Sequence, residues 1–198
     1  MSVRGKLIVL EGADGAGTTT QAVRVAAWLE ARGEPAHVTQ KPSAGPIGKL
    51  AREILRGSAP SEIGWQRLAL LFAADRLDHY ESEIAPKLDE GAHVISDRYL
   101  LSSLVYQGLH APLGWIETLN QYAPAPDVTL VLDVDADEAW ERQARRGGAR
   151  EVYDERELQR DICRRYRELA PRVAGILIDG SGAVEIVTKR LAEVISQL

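Results

Sequence analysis

A glycine-rich turn directly after the first apolar run leaves this chain few folds to adopt. Lys6-Leu7-Ile8-Val9-Leu10 reads as a buried strand that passes through Glu11-Gly12-Ala13-Asp14-Gly15-Ala16-Gly17-Thr18-Thr19-Thr20 into a helical pattern. Glycines at 12, 15 and 17 let the backbone curl until successive N–H groups and the helix N-terminus converge, which suits the oxygens of a phosphate. The spacing matches a phosphate-binding loop except at one position. Thr18 stands where a lysine is usual, whereas Thr19 supplies the hydroxyl that helps hold Mg2+. Candidate nucleotide contacts are therefore Gly12, Ala13, Asp14, Gly15, Ala16, Gly17, Thr18, Thr19 and Thr20. A ligand-free glycine turn is the alternative, and the strand-to-helix context argues against it.

Short segments rich in β-branched or aliphatic residues read as strands at 6–11, 36–39, 92–97, 128–134 and 175–179. Amphipathic patterns predict helices at 18–31, 47–56, 61–90, 102–108, 113–122, 135–146, 154–173 and 183–197. Gly33 ends the first, Ser61 caps the long third, and Gly91 closes it. This alternation predicts an α/β fold: a five-stranded parallel sheet flanked by helices on both faces, with ligands at the carboxyl edge of the strands. One domain is expected over 1–198, with a lid at about 142–154 around the basic, glycine-bearing stretch Arg145-Arg146-Gly147-Gly148-Ala149-Arg150.

With a formal net charge of −5, the chain has no general attraction for nucleic acid, so anions must be held by local basic clusters such as 142–150 and 160–167. The longest apolar run, Leu68 to Ala74, is far below the roughly 20 residues that span a bilayer. No cleavable leader is read before residue 6, and a soluble, cytoplasmic protein is expected. The single cysteine, Cys163, leaves neither a disulfide framework nor a cysteine metal site. His79 and His110 read as packing or surface residues.

Further motifs carry chemistry. In Leu70-Leu71-Phe72-Ala73-Ala74-Asp75-Arg76, Phe72 and Arg76 share one helical face, so a ring and a planar fork can address one base together; taken alone, Phe72 reads as core. Ser96-Asp97-Arg98-Tyr99 closes a strand beside the glycine loop, offering a carboxylate to Mg2+ and a guanidinium to phosphate, with a structural ion pair as the alternative. Ser102-Ser103-Leu104-Val105-Tyr106-Gln107-Gly108 follows, and later Leu132-Asp133-Val134-Asp135.

In this order, these motifs resemble the thymidylate kinase family over most of the chain. The resemblance implies the P-loop kinase fold, ATP as co-substrate with Mg2+, dTMP as acceptor, and a homodimer through the helices at 47–56 and 61–90. It implies that Phe72 stacks on thymine and Arg76 hydrogen-bonds its carbonyl. Arg98 and Arg52 would hold the acceptor phosphate, Ser103 and Gln107 would meet the nucleoside, and Asp97 would join Thr19 at the metal. The basic residues Arg142, Arg145, Arg146 and Arg150 resemble the lid that closes over ATP, with Arg146 and Arg150 as its catalytic pair; a solvated helix face is the alternative. Asp179-Gly180-Ser181-Gly182 resembles the loop near the adenine, which places Gly180 there.

The expected reaction is in-line transfer of the γ-phosphoryl group of Mg·ATP to the 5′-phosphate of dTMP. The acceptor phosphate is the nucleophile and is largely ionised near neutral pH, so positioning and charge neutralisation carry catalysis and no protein base is needed. Asp14 would steer the sugar hydroxyl or a neighbouring arginine. Two alternatives stay open: a kinase for another nucleotide or nucleoside, and a nucleotide-binding module without turnover, which the missing lysine favours. In Thr39-Gln40-Lys41-Pro42, the family commonly has Thr-Arg-Glu-Pro. Lys41 is expected to supply from the second strand the charge absent at position 18, with an exposed loop lysine as the alternative.

Overall fold

The computed structural model describes residues 4–56, 64–146 and 156–198. Among them, β1 (Leu7–Gly12), β2 (Ala36–Gln40), β3 (His93–Asp97), β4 (Val128–Asp133) and β5 (Ile176–Asp179) form one sheet in the order β2-β3-β1-β4-β5. Every pairing is parallel. From β1 the chain crosses to the edge strand β2, steps back to β3 beside β1, and then crosses to β4 and β5 on the other side. The connections therefore part between β3 and β1, and the crevice opens at their carboxyl ends, where ligands bind in such sheets. That order delivers the glycine loop to the centre of the edge.

Nine α-helical segments cover the sheet: α1 (Thr18–Glu30), α2 (Pro46–Leu55), α3 (Trp65–His79), α4 (Ala85–Asp89), α5 (Leu100–Tyr106), α6 (Leu113–Leu119), α7 (Ala136–Arg146), α8 (Arg156–Leu169) and α9 (Val184–Ile195), counted among the described residues. Strand alternation sorts the side chains between two faces. Ile8, Leu10, Ile95, Leu130 and Leu132 pack with Val25 and Leu29 of α1 and Leu191 and Ile195 of α9. On the opposite face, Leu7 and Val9 meet Ile84 and Leu88, while Val131 meets Leu104 of α5 and Ile162 and Tyr166 of α8. Each such buried side chain contributes about 1.5–3 kcal/mol, which holds the loops at the sheet edge on a rigid base. Cys163 joins the second face, and burial pushes its thiol up to about 11.

The helix read at 61–90 departs from expectation. α3 stops at His79, a π-helical turn occupies Tyr80–Ile84, and α4 follows. The wider turn sets Glu83 beside both His37 (2.9 Å) and His79 (3.4 Å). Ser61 and its cap lie outside the described residues, as do 154 and 155 of the helix read at 154–173. Gly33 and Gly91 take φ of 80° and 90°, as helix closure requires. No helix among the described residues is long and apolar enough to cross a membrane.

Candidate active site

A cleft of about 1250 Å3 runs along the carboxyl edge of the sheet. One side of it is the glycine loop. Gly15 and Gly17 have φ of 86° and 96°, a left-handed conformation that strains any side-chain-bearing residue. Gly17 is the N-cap of α1, no side chain caps the first turn, and no acidic residue sits in it. The N–H groups of that turn, with their partial positive charge, are thus left for an anion. A Cβ at Gly15 would lie 2.0 Å from the Ala139 carbonyl oxygen, so the loop abuts α7 through bare backbone. Thr18 is buried over Gly12.

Asp97, at the end of β3, meets this loop from the side. The Thr19 hydroxyl donates to Asp97 Oδ2 at 2.5 Å. Asp97 Oδ1 is buried without a hydrogen-bond partner among the described residues. A hard carboxylate oxygen with spare capacity, beside a hydroxyl at the mouth of a phosphate loop, fits Mg2+.

Arg98 follows with φ of 72°, a left-handed backbone that costs a non-glycine residue on the order of 1–3 kcal/mol. Its Nη2 donates to Asp14 Oδ1 at 2.6 Å, and its Nη1 to the Gly12 carbonyl and to Tyr166 Oη, both at 2.7 Å. Burial works against this charge, but the Tyr106 and Tyr166 rings with Asp14 and Asp97 keep its pKa well above the ordinary arginine value. Of the two roles expected of Asp14, holding a neighbouring arginine is the one present here.

The facing side is built on α3. Phe72 and Arg76 both line the cleft one helical turn apart, Phe72 half-buried and Arg76 fully so. Arg76 Nη2 donates to the Tyr99 carbonyl and to Ser103 Oγ, each at 2.8 Å, and its Nη1 to Asn120 Oδ1. Its guanidinium lies over the Tyr99 ring, while Nε is buried without a partner among the described residues. Burial lowers the pKa of Arg76, with Tyr99, Glu11 and Asp75 opposing. Ser103, Tyr106 and Gln107 line the same side, and Arg52 of α2 donates to the Pro42 carbonyl at 2.5 Å.

Beside the glycine loop, Arg142 of α7 donates to Glu138 at 2.5 Å and to the Gly180 carbonyl at 3.2 Å, tying α7 to the loop after β5. Arg146 ends α7, and Arg150 lies outside the described residues. His79 is buried behind β2 against Thr39 (2.7 Å), and His110 stacks on Trp65.

Lys41 reaches the cleft edge, where its backbone N–H donates to the Asp97 carbonyl at 2.9 Å, but its side chain turns away from the glycine loop. The ammonium donates to the Asp75 carbonyl at 2.8 Å and lies 3.3 Å from Asp75 Oδ2. Alternation explains the direction. Gln40 pairs with Asp97 in register and shares its face, so the next residue points to the other face, toward α3. Burial pushes the Lys41 ammonium down to about 7, with Asp75 opposing the shift. The charge expected from Lys41 at the glycine loop is instead committed to Asp75.

Residues 10–191 match the family model for thymidylate kinase. This chain belongs to the thymidylate kinase family. It is 42% identical over 172 residues to a probable thymidylate kinase of Pyrococcus horikoshii, covering 85% of this chain and 84% of that one. It is 39% identical over 199 residues to one of Thermococcus kodakarensis, covering 96% and 97%. Its fold superposes on the thymidylate kinase of Candida albicans with a TM-score of 0.84 at 26% identity, covering 100% of this chain and 93% of that structure.

Several residues that shape this thymidylate kinase cleft were not singled out from the sequence: Glu11, Asp75, Tyr99, Asn120, Gln159 and Tyr166. Gln159 of α8 donates to the Asp14 carbonyl at 2.6 Å, and Tyr166 lies two turns further along α8. Their seven-residue spacing on one face was the available signal, masked by the surrounding arginines.

Proposed function

We propose that this cleft transfers the γ-phosphoryl group of ATP to the 5′-phosphate of dTMP, giving dTDP and ADP. As a member of its family, the chain is a kinase that phosphorylates dTMP. The observation that carries the residue assignments is that one dipeptide serves both halves of the cleft. Asp97 bonds Thr19 on the donor side, while Arg98 bonds Gly12 and Asp14 and lies against Tyr106, which lines the acceptor side.

In this reading, the loop amides from Gly12 to Thr20 hold the donor phosphates, and Arg142 with the Gly180 loop borders the adenine. Phe72 and Arg76 take the thymine, Ser103 and Gln107 the nucleoside, and Arg98 with Arg52 the acceptor phosphate. The acceptor oxygen then meets the γ-phosphorus in line, and fixed positive charge offsets the charge spread over the transferring group. Thr19 and Asp97 would hold Mg2+, which when bound neutralises phosphate charge. Arg146 and Arg150, within a lid at about 142–154, would complete the site over the donor. A coupled assay with ATP against dTMP, dUMP, other nucleoside monophosphates and thymidine tests this. Selective dTMP turnover is the expected result; turnover of another acceptor alone, or nucleotide binding without turnover, would overturn it.

We also propose a homodimer. Leu50 of α2 and Leu70 of α3 are 41% and 49% exposed on two helices that pack together, an apolar face suited to a second copy.

A further inference from the structure

Glu11 is fully buried at the end of β1, and its carboxylate is surrounded by donors. Its Oε1 accepts from the Tyr99 N–H at 2.8 Å and the Ser102 N–H at 3.1 Å. Its Oε2 accepts from the Ser102 hydroxyl at 2.6 Å. These bonds clamp the turn that follows Arg98, whose own N–H donates to the Leu10 carbonyl at 2.8 Å and whose carbonyl accepts from Ser96 Oγ at 2.8 Å. The left-handed backbone of Arg98 is thus held from both ends. Burial raises the pKa of Glu11, with the Ser102 hydroxyl and the Arg98 charge opposing.

A hydrogen inventory extends the clamp to the guanidinium. Ser102 has one hydroxyl hydrogen, and Glu11 takes it. In the 2.9 Å contact between Ser102 Oγ and Tyr166 Oη, the phenol must therefore be the donor. Tyr166 then accepts from Arg98 Nη1 at 2.7 Å. Hydrogen bonds run one way, from Arg98 to Tyr166 to Ser102 to Glu11, with a longer direct bond from Arg98 Nη1 to Ser102 Oγ at 3.3 Å, and both routes end on the Glu11 carboxylate.

We infer that Glu11 is a positioning residue for phosphoryl transfer, setting both the backbone and the guanidinium of Arg98 without touching either substrate. The inference rests on Arg98 being a ligand of the acceptor phosphate. Glu11→Gln keeps an oxygen for the two backbone N–H groups but puts a donor opposite Ser102. The hydroxyl must then rotate, and the chain of bonds loses its polarity. Tyr166→Phe removes the middle link, leaving the guanidinium only its longer direct bond to Ser102, and keeps the backbone clamp intact.

The test is steady-state kinetics with ATP and dTMP for Glu11→Gln, Tyr166→Phe, their combination, and Arg98→Ala. Each of the first two is expected to raise KM for dTMP about tenfold while KM for ATP stays within about twofold, the size of effect that loss of one charge-linked hydrogen bond produces. The combination should add less than about twofold to the larger single effect, because both act through one chain. Equal rises in both KM values, no rise in either, or fully multiplicative effects would overturn the inference. Should Glu11→Gln fail to fold, Ser102→Ala replaces it with the same expected split and the same overturning results. Arg98→Ala separates the two readings. If it leaves KM for dTMP unchanged, the acceptor assignment fails; if it raises KM while the other variants do not, only the role of Glu11 fails.

Discussion

The Thr19 hydroxyl and the Asp97 carboxylate lie 2.5 Å apart, joining the first turn of α1 to the end of β3. Because the second Asp97 oxygen is buried and unpartnered among the described residues, the pair has capacity for a hard cation. Asp97→Asn should raise the Mg2+ concentration for half-maximal rate by about 10–100-fold, read from a Mg2+ titration at saturating ATP and dTMP. An unchanged titration would remove Asp97 from the metal.

Phe72 is half-buried at the cleft wall, beside the fixed fork of Arg76. Phe72→Ala should weaken dTMP binding by about 1–3 kcal/mol, the usual worth of an aromatic stacked on a base. Calorimetric titration should show ATP affinity unmoved. A loss shared equally by both ligands would return Phe72 to a packing role.

The Lys41–Asp75 pair gives a pH signature in stability. Lys41 has a folded pKa of about 7, below the ordinary lysine value of 10.5, because burial penalises its charge. The unfolded chain therefore binds more protons in that interval, and folding stability rises with pH. The penalty is complete below pH 7 and fades as pH climbs toward the unfolded value. In Lys41→Met, the rise in urea-unfolding free energy from about pH 7 to about pH 9.5 should be smaller than in the parent. Equal slopes would mean that Lys41 does not titrate in this interval.

Thr18 and Lys41 can be separated by activity. With the ammonium bound at Asp75 rather than at the glycine loop, Lys41→Ala should leave KM for ATP within about twofold of the parent. Thr18→Lys should raise turnover, up to about a hundredfold, by adding one preorganised cation at the donor phosphates. If Lys41→Ala abolishes turnover and Thr18→Lys restores it, Lys41 serves the phosphates after all.

Leu70→Glu places a charge on the exposed α3 face. Sedimentation velocity should then show a monomer where the parent shows a dimer. A monomeric parent would set the homodimer aside.

The five strands, their parallel pairing and the glycine loop were legible because each rests on local signals: apolar runs, positive-φ glycines and strand-to-helix spacing. Phe72, Arg76, Asp97, Arg98, Ser103 and Gln107 do come together at one cleft, each carried there by an element of short period. Lys41 was misdirected for a physical reason. Its position along β2 was read, but its face depends on register with β3, and a one-residue step reverses a strand side chain. Glu11, Tyr166 and Asp75 were missed because their partners are remote in sequence; the Glu11–Ser102 bond spans 91 residues. The π turn at Tyr80–Ile84 was equally hidden, since it steps the apolar pattern by a single residue and only five helical residues, Ala85–Asp89, follow to display the new phase.

The contact between Gly15 and Ala139 has a mechanical consequence. The glycine loop and the first turn of α7 leave no room for a side chain between them. A closing motion of the proposed lid would have its hinge beyond Ala139. That leaves a lever of about 10 Å up to Arg146. In the proposed lid, the reach of this stub would be set by the few residues past that point. Any side chain at position 15 would push the glycine loop off Ala139 and carry that disturbance into both elements at once.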